Sequence, residues 1–204
     1  MEQIHTRDRI VAEAMRLFAE NGYDGTSVAT IEAAAGLAKG SGGLYKHFPS
    51  KRAVLVEGVG RLLAAGGALR ELLGRSSEPP PTGAPPLAEM LRRIAKAGLD
   101  RLEQERDFNR VLVRDLARFP DLLERARDEE IALNHRQLTA WLTAQAGEHD
   151  RDLSAIAAVL IGATSHYWLL RDIFGGEHPT GVSESAYINA MSDLATAVLT
   201  PPSV

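Results

Sequence analysis

The sequence predicts an all-α protein, and three observations support that fold class. Apolar residues recur with helical periodicity along most of the 204 residues. No run of alternating β-branched residues indicates a strand, and glycine or proline breaks divide the chain into segments of helical length. The composition, with 45% hydrophobic and 25% charged residues, is that of a soluble folded protein. We therefore expect helices joined by turns.

The N-terminal fifty residues predict three helices. Four apolar residues share one helical face, namely Ile10, Ala14, Leu17 and Phe18. They predict a first helix over residues 6–21. Thr26 and Ser27 are residue types that cap a second, short helix, which ends near Gly36, and a third short helix runs to about Phe48. This order of helix, turn and helix is that of a helix-turn-helix DNA reader.

The rest of the chain continues as helices. Residues 51–74 predict a connecting helix that begins after Ser50, whereas the prolines of residues 76–86 exclude a helix there. Beyond them the periodicity predicts helices over 87–105, 107–118, 121–146 and 152–174, and a last helix from Ser183. We divide the chain into a helix-turn-helix domain of residues 1–50, the connecting helix of residues 51–74, and a second helical domain of residues 75–204.

Charge narrows the function classes. The net charge of −4 argues against a protein that is basic all over and coats nucleic acid. The first 55 residues nevertheless carry seven Lys and Arg against six Asp and Glu, so the acidity lies in the C-terminal part. Lys39, Lys46 and Lys51 form a compact cationic segment. The N-terminus has no uninterrupted apolar stretch, so we expect no signal peptide, no membrane association and a cytoplasmic location.

The residues around the cationic segment form a specific pattern. The chain reads FAENGYDGTSV from Phe18 to Val28, AGL from Ala35 to Leu37 and LYKHFPSK from Leu44 to Lys51. This pattern resembles the TetR family of bacterial transcriptional regulators over about residues 6–57, roughly a quarter of the chain. The resemblance implies a repressor that binds a palindromic double-stranded DNA operator as a homodimer and is released by a small molecule.

The resemblance also implies roles for individual residues. Thr26 and Ser27 begin the helix that crosses the DNA backbone, where N–H groups and hydroxyls can bind a phosphate. Tyr45, His47 and Lys51 match phosphate-contacting positions. The residues around the start of the recognition helix are those that approach base edges, namely Lys39, Gly40, Ser41, Gly42, Gly43 and Lys46. We expect the phosphate contacts to position the protein on the DNA and the residues near the base edges to determine which DNA sequence is bound.

Two features depart from the family pattern. The usual pattern passes from a basic residue and glycine through one small polar residue to Leu-Tyr, and the turn between Lys39 and Tyr45 is two residues longer. The base-reading residues therefore cannot be transferred by counting. The added glycines lengthen the turn or loosen the recognition helix, at about 1 kcal/mol of helix propensity each. Glu32 stands where the family usually has a small residue, and its sequence position leaves open whether it faces solvent.

The last two helices predict a dimer interface. Reading two half-sites requires a two-fold dimer. Residues 152–174 are rich in small side chains and include a stretch that is apolar all round, so together with residues 183–199 they can form half of an intersubunit four-helix bundle. The alternative is a helix buried within its own subunit. The interface candidates are Ala158, Gly162, Ser165, Met191, Leu194 and Val198.

The resemblance alone implies a small-molecule site among the middle helices, so residues 75–204 are expected to form a ligand-binding and dimerisation domain. Isolated polar or aromatic residues on apolar helices can line such a cavity. The candidates are Phe108, Arg114, His135, Trp141, His166, Tyr167 and Trp168. Each of them is alternatively an ordinary core or surface residue, and Arg114 beside Asp115 is alternatively half of an exposed ion pair.

Catalysis finds no support in the motifs. The sequence contains no HExxH, GxSxG, GxxxxGK or GxGxxG. It has no cysteine, which excludes disulfides, thiolate zinc sites and cysteine nucleophiles. We expect no enzyme activity, no cofactor and no metal. The alternative function is a helical small-molecule-binding protein whose DNA-binding unit is inactivated by the lengthened turn.

Overall fold

The fold was obtained as a computed structural model, which describes residues 5–38, 40, 42–64, 68–74, 83, 85–146 and 150–200. Within these residues the secondary structure is helical and contains no strand, which confirms the predicted all-α class. The α-helices are α1 Thr6–Asn21, α2 Val28–Ala34, α3 Lys51–Ala64, α4 Ala68–Gly74, α5 Leu87–Gln104, α6 Arg106–Arg114, α7 Pro120–Ala126, α8 Ala132–Ala146, α9 Leu153–Ile173 and α10 Glu184–Leu199.

Several predicted helices are shorter or divided. The third short helix is a single 3₁₀ turn over Gly43–Lys46, because Gly42 before it is left-handed, with φ of 72°, and Pro49 follows closely. We call Gly43–Lys46 the recognition segment. The predicted helix over 121–146 is α7, a π-helical turn over Arg127–Ile131, and α8. Within the predicted connecting helix of residues 51–74, residues 51–64 and 68–74 are helical, and residues 65–67 lie outside the described residues.

The chain divides into two compact units. Unit 1 consists of Met1–Ala65 with Glu105–Glu130. In its core, α1 packs against α2, α3 and α6, and the four residues of the predicted apolar stripe on α1 are all buried. Burial of each large side chain in such a core contributes about 1.5–3 kcal/mol. The main core side chains are Ile10, Phe18, Ile31, Leu44, Leu55, Phe108, Val111 and Leu116.

Residues 105–130 are thus part of unit 1, whereas the sequence predicts that they belong to the C-terminal domain. The physical reason is the apolar face of α6, because Phe108 and Val111 are buried in the same core as α1. The periodicity shows that α6 has an apolar face and does not show which helix covers it. As a functional division, the boundary between residues 1–50 and 75–204 stays a prediction.

Unit 2 consists of Gly66–Gln104 with Ile131–Val204. Helix α5 packs against α4, α9 and α10, and α8 packs against α4 and α9. One apolar cluster surrounds Trp141 and Leu142 of α8. A second surrounds Tyr167 and Trp168 of α9.

Candidate nucleic-acid interface

The turn between α1 and α2 is closed by Thr26. Its side chain is only 1% exposed, and its hydroxyl lies 3.1 Å from the carbonyl oxygen of Leu17 and 2.8 Å from that of Gly22. Such a hydroxyl donates to a backbone carbonyl at the end of α1. Thr26 therefore shapes this turn from the inside, and the structure does not present its hydroxyl at the surface for a phosphate.

Ser27 is exposed and begins α2. Its Oγ accepts a hydrogen bond from the Thr30 N–H at 3.1 Å, and its backbone is extended, as an N-cap requires. The sequence predicted a cap at this pair of residues, and the structure assigns that cap to Ser27. The exposed cap places the residue at the surface, where the predicted backbone contact needs it.

Lys51 ties the same turn to the start of α3. Its Nζ donates to the carbonyl oxygens of Tyr23 at 2.7 Å and Thr26 at 2.9 Å, and it lies 4.1 Å from the centroid of the Tyr23 ring. Burial raises the pKa of the Tyr23 phenol above its ordinary value, so the ring is a neutral cation–π partner. Lys51 therefore stabilises the turn, and the predicted phosphate contact falls to the remaining N–H of its ammonium group.

The recognition segment presents its polar side chains outward. Leu44 is fully buried, whereas Tyr45 is 57% exposed and Lys46 is exposed as well. Gly40 and Gly42 precede it with φ of 69° and 72°, left-handed values that favour glycine. The structure thus gathers six predicted interface residues along one stretch, namely Gly40, Gly42, Gly43, Tyr45, Lys46 and His47. Lys39 and Ser41, two predicted base-reading residues, lie outside the described residues.

Glu32 holds the N-terminal side of this stretch. The residue is 1% exposed. Its Oε2 accepts the N–H of Gly40 at 2.8 Å, and its Oε1 accepts the N–H of Leu44 at 3.0 Å. This resolves the orientation that the sequence left open, because the carboxylate faces inward. The two departures from the family pattern, the lengthened turn and the acid at position 32, are in direct contact.

Arg7 holds the C-terminal side of the recognition segment. Its Nη1 donates to the carbonyl oxygen of His47 at 2.9 Å and its Nη2 to Oε2 of Glu57 at 3.2 Å. The guanidinium also lies 4.2 Å from the centroid of the Phe48 ring. Hydrogen bonds to Arg61 and Arg7 hold the pKa of the Glu57 carboxyl below its usual value. Sequence reasoning missed Arg7, because its partner is forty residues away and no local pattern marks it.

Residues 10–57 match the family model described as bacterial regulatory proteins, tetR family. The N-terminal region of the chain is therefore similar to the corresponding region of tetR-family regulators. A relative of this chain is the biofilm operon icaADBC HTH-type negative transcriptional regulator IcaR of Staphylococcus aureus, which is 40% identical over 53 residues. That match covers 26% of this chain and 27% of the relative, so it is confined to the N-terminal region.

Solved structures extend the likeness to the whole TetR-family fold. PfmR from Thermus thermophilus is 26% identical with a TM-score of 0.65, over 94% of this chain and 96% of that one. Salmonella enterica GusR is 24% identical with a TM-score of 0.64, over 98% and 97%. A TetR-family regulator from Cytophaga hutchinsonii is 16% identical with a TM-score of 0.63, over 97% and 98%. The helices beyond residue 57 therefore follow the fold of these regulators.

A second candidate surface lies on α9 and α10 of unit 2. One side of α9 is buried, whereas its opposite side exposes Ala158, Val159 and Gly162, with Val159 69% exposed. On α10, Leu194 is 70% exposed and Val198 is also exposed. Of the six interface candidates, Ala158, Gly162, Leu194 and Val198 are exposed, and Ser165 and Met191 are half-buried. The described chain leaves an apolar face that its own residues do not cover.

Helix α9 is also long and apolar enough to cross a membrane, judged by length and composition alone. The core helix of a soluble protein passes the same test. In this structure α9 buries Ala157, Tyr167 and Trp168 against its own unit, and Tyr167 donates a hydrogen bond to the Val182 carbonyl at 2.9 Å. One side of α9 is therefore committed to protein packing.

The pocket candidates are divided between the two units. In unit 1, Phe108 is a core residue, and the guanidinium of Arg114 donates to the carbonyls of Phe18 and Ala19 at the end of α1. Arg114 also pairs with Asp115 at 3.3 Å, but this carboxylate is buried, whereas the alternative expected an exposed ion pair. These two residues are thus accounted for by packing and by satisfying helix-end carbonyls.

The other five candidates are in unit 2. The imidazole of His135 lies 2.9 Å from the Ser154 carbonyl oxygen, and the Trp168 indole donates to Glu103 at 3.2 Å. His166 is exposed and Tyr167 is buried. Trp141 is fully buried, and its indole N–H has no hydrogen-bond acceptor among the residues that the structure describes. Trp141 therefore has a buried polar group that is without a partner in the described part of the chain.

Proposed function

We propose that this chain is a cytoplasmic transcriptional repressor that binds a palindromic DNA operator as a homodimer and releases it when a small molecule binds unit 2. The observation that carries the proposal is the exposed recognition segment, which is anchored by Leu44 and tethered at both sides by Glu32 and Arg7. Such a rigid, exposed reader can enter a major groove. The repressor role follows the relative IcaR, whose name describes a negative transcriptional regulator.

The charges of the recognition segment suit its proposed contacts. Lys46 and Tyr45 are both exposed, and a lysine ammonium or a tyrosine hydroxyl can donate to a phosphate oxygen. His47 follows them, half-buried. Because the whole chain carries a net charge of −4, its affinity for random DNA is expected to be low and specific contacts to account for more of the binding.

The proposed dimer uses the uncovered face of α9 and α10. A soluble chain rarely leaves an apolar face of this kind without a partner. A Cβ added at Gly162 would meet no atom within 4 Å, so the surface is open enough for a second helix to approach. Two chains that pair through this face related by a two-fold axis would present two recognition segments, as a palindrome requires.

The proposed effector site is in unit 2, near Trp141. Its buried indole N–H is a donor without an acceptor among the described residues, and the surrounding cluster is apolar. An apolar ligand with one acceptor oxygen suits that environment. In a Trp168→Phe background, anilinonaphthalene sulfonate should quench Trp141 emission at one site per chain. Unchanged Trp141 emission at saturating probe would argue against this location.

Enrichment from a library of random DNA duplexes tests the DNA-binding function. The wild-type chain should select a palindromic consensus, and binding should fall steeply as salt rises. Lys46→Gln should weaken binding to the selected duplex, whereas Lys96→Gln is the matched control, because Lys96 of α5 pairs with Glu184 at 3.3 Å within unit 2. If the wild-type chain enriches no sequence, the repressor proposal fails, and the small-molecule-binding alternative takes its place.

A further inference from the structure

We infer that Glu32 is a positioning residue that determines which bases the recognition segment can read, without touching DNA itself. The inference rests on the proposed DNA-binding function. One buried carboxylate accepts hydrogen bonds from two backbone N–H groups, at Gly40 and Leu44, on either side of the glycine turn. The backbone between them leads directly into the exposed Tyr45 and Lys46.

The environment of Glu32 shows why two hydrogen bonds are needed. A carboxylate that is 1% exposed loses its contact with water, and only charge-assisted hydrogen bonds offset that loss. The N–H of Leu44 belongs to the first residues of a 3₁₀ turn, which lack partners inside their own turn. The carboxylate therefore satisfies an orphan donor of the segment, and the segment satisfies a buried charge.

The glycine turn makes this tether important for base readout. Gly40 and Gly42 both adopt left-handed conformations, and glycine has access to more of the backbone conformational space than any other residue. A turn of this composition has little preference for one geometry, so the external tether has to supply it. Base contacts require side chains to be held within about 0.5 Å of their productive positions. On the far side, Arg7 donates to the carbonyl of His47 and lies over the Phe48 ring, so it does not contact the glycine turn through these interactions.

The test compares Glu32→Gln with Asp115→Asn. The glutamine amide keeps the shape of Glu32 but has one acceptor oxygen, and its NH₂ group would face a backbone N–H. Asp115 is the matched control, because it is also buried in unit 1 and its Oδ2 accepts the Tyr23 N–H at 3.3 Å, but no hydrogen bond joins it to the recognition segment. Both variants replace one buried carboxylate by an amide.

Binding is measured to the duplex that the wild-type chain selects from the random library and to a shuffled duplex of the same composition. Glu32→Gln should lower the ratio of the two affinities by about tenfold or more, as expected for the loss of a base contact, and should select a more degenerate consensus. Asp115→Asn should leave both the ratio and the consensus unchanged. A ratio for Glu32→Gln equal to that of the control would overturn the inference while leaving the repressor proposal intact.

Amide hydrogen exchange of the wild-type chain decides the matter if Glu32→Gln does not fold. The amide protons of Gly40 and Leu44 should exchange about a hundredfold or more slowly than in an unstructured peptide, because both are donated to a buried acceptor. Exchange at peptide rates in the folded wild-type chain would show that the tether is not maintained in solution and would overturn the inference. Absence of any enriched sequence would instead contradict the proposed function.

Discussion

The support of the recognition segment in unit 1 and the uncovered helix face of unit 2 both depart from the usual distribution of polar and apolar groups. Unit 1 has a charged group inside, and unit 2 has apolar groups outside. Unit 1 buries the carboxylate of Glu32, whereas unit 2 exposes 70% of Leu194. A buried charge needs partners inside the same chain, and the structure supplies them. An exposed leucine among other apolar residues needs a partner from outside. The comparison indicates that unit 1 is organised to present a surface and unit 2 to bury one.

The largest expected effect concerns the face of unit 2. Leu194→Arg places a charge in the proposed dimer interface, so the chain should become monomeric and bind the selected duplex about a hundredfold more weakly, because one half-site contact is lost. Light scattering coupled to size-exclusion chromatography measures the mass. Val113→Arg is the matched control, since Val113 of unit 1 is 67% exposed and should tolerate the change. If Leu194→Arg is still a dimer, the exposed apolar face of unit 2 is not the dimer interface. A wild-type chain that is monomeric in aqueous buffer would also contradict the proposed dimer.

The next effect concerns the two lysines of unit 1 that are described. Lys51→Met removes the ammonium that donates to the Tyr23 and Thr26 carbonyls, and it should lower the free energy of unfolding by about 2 kcal/mol. Lys46→Met removes an exposed charge and should change that free energy by less than about 0.5 kcal/mol. It should instead reduce the slope of the logarithm of DNA affinity against the logarithm of salt concentration by about one, as expected for the loss of one phosphate contact. Urea unfolding and salt titration separate the two roles, and equal stability losses would contradict this division.

Two serine N-caps provide a comparison between the units. Ser27 caps α2 through Thr30 N–H at 3.1 Å, and Ser183 caps α10 through Ala186 N–H at 3.3 Å. Replacing either by alanine should cost about 1 kcal/mol of stability, measured by thermal unfolding. Only Ser27→Ala should also weaken DNA binding. If Ser183→Ala is fully folded and still binds DNA more weakly, the DNA-binding surface is not confined to unit 1.

The smallest expected effect is that of the Tyr45 hydroxyl. Tyr45→Phe should weaken binding to the selected and the shuffled duplex by the same factor, about threefold, because a phosphate contact carries no sequence information. Gel-shift titrations with both duplexes measure the two affinities. A change in the ratio between them would mean that Tyr45 reads a base.

The sequence predicted those features that depend on local spacing. The apolar stripe of α1, the cap at Ser27 and the exposed apolar side of α9 all follow from residues within a few helical turns of one another. The fold class follows from the same periodicity. Patterns of this kind show which side of a helix is apolar. The residues proposed to contact DNA came instead from the motif between Phe18 and Lys51, and they stay a prediction.

Features that depend on distant contacts could not be predicted in this way. Arg7 and His47 are forty residues apart, and the inward orientation of Glu32 depends on a turn eight to twelve residues later. Helix α6 packs in the core of unit 1, and the apolar periodicity of its sequence does not show which other helices cover its apolar face. The recognition helix was predicted as a longer element, because the competing left-handed conformation of Gly42 is not visible as a break in the apolar pattern.

The most direct test of the repressor proposal is the affinity of the wild-type chain for its selected duplex compared with the shuffled duplex at physiological salt. The proposed function predicts a ratio of about a thousand or more, the range of specific DNA-binding proteins, together with two chains on each palindrome. Equal affinities for the two duplexes, or binding of a single chain with no preference for the palindrome, would contradict it.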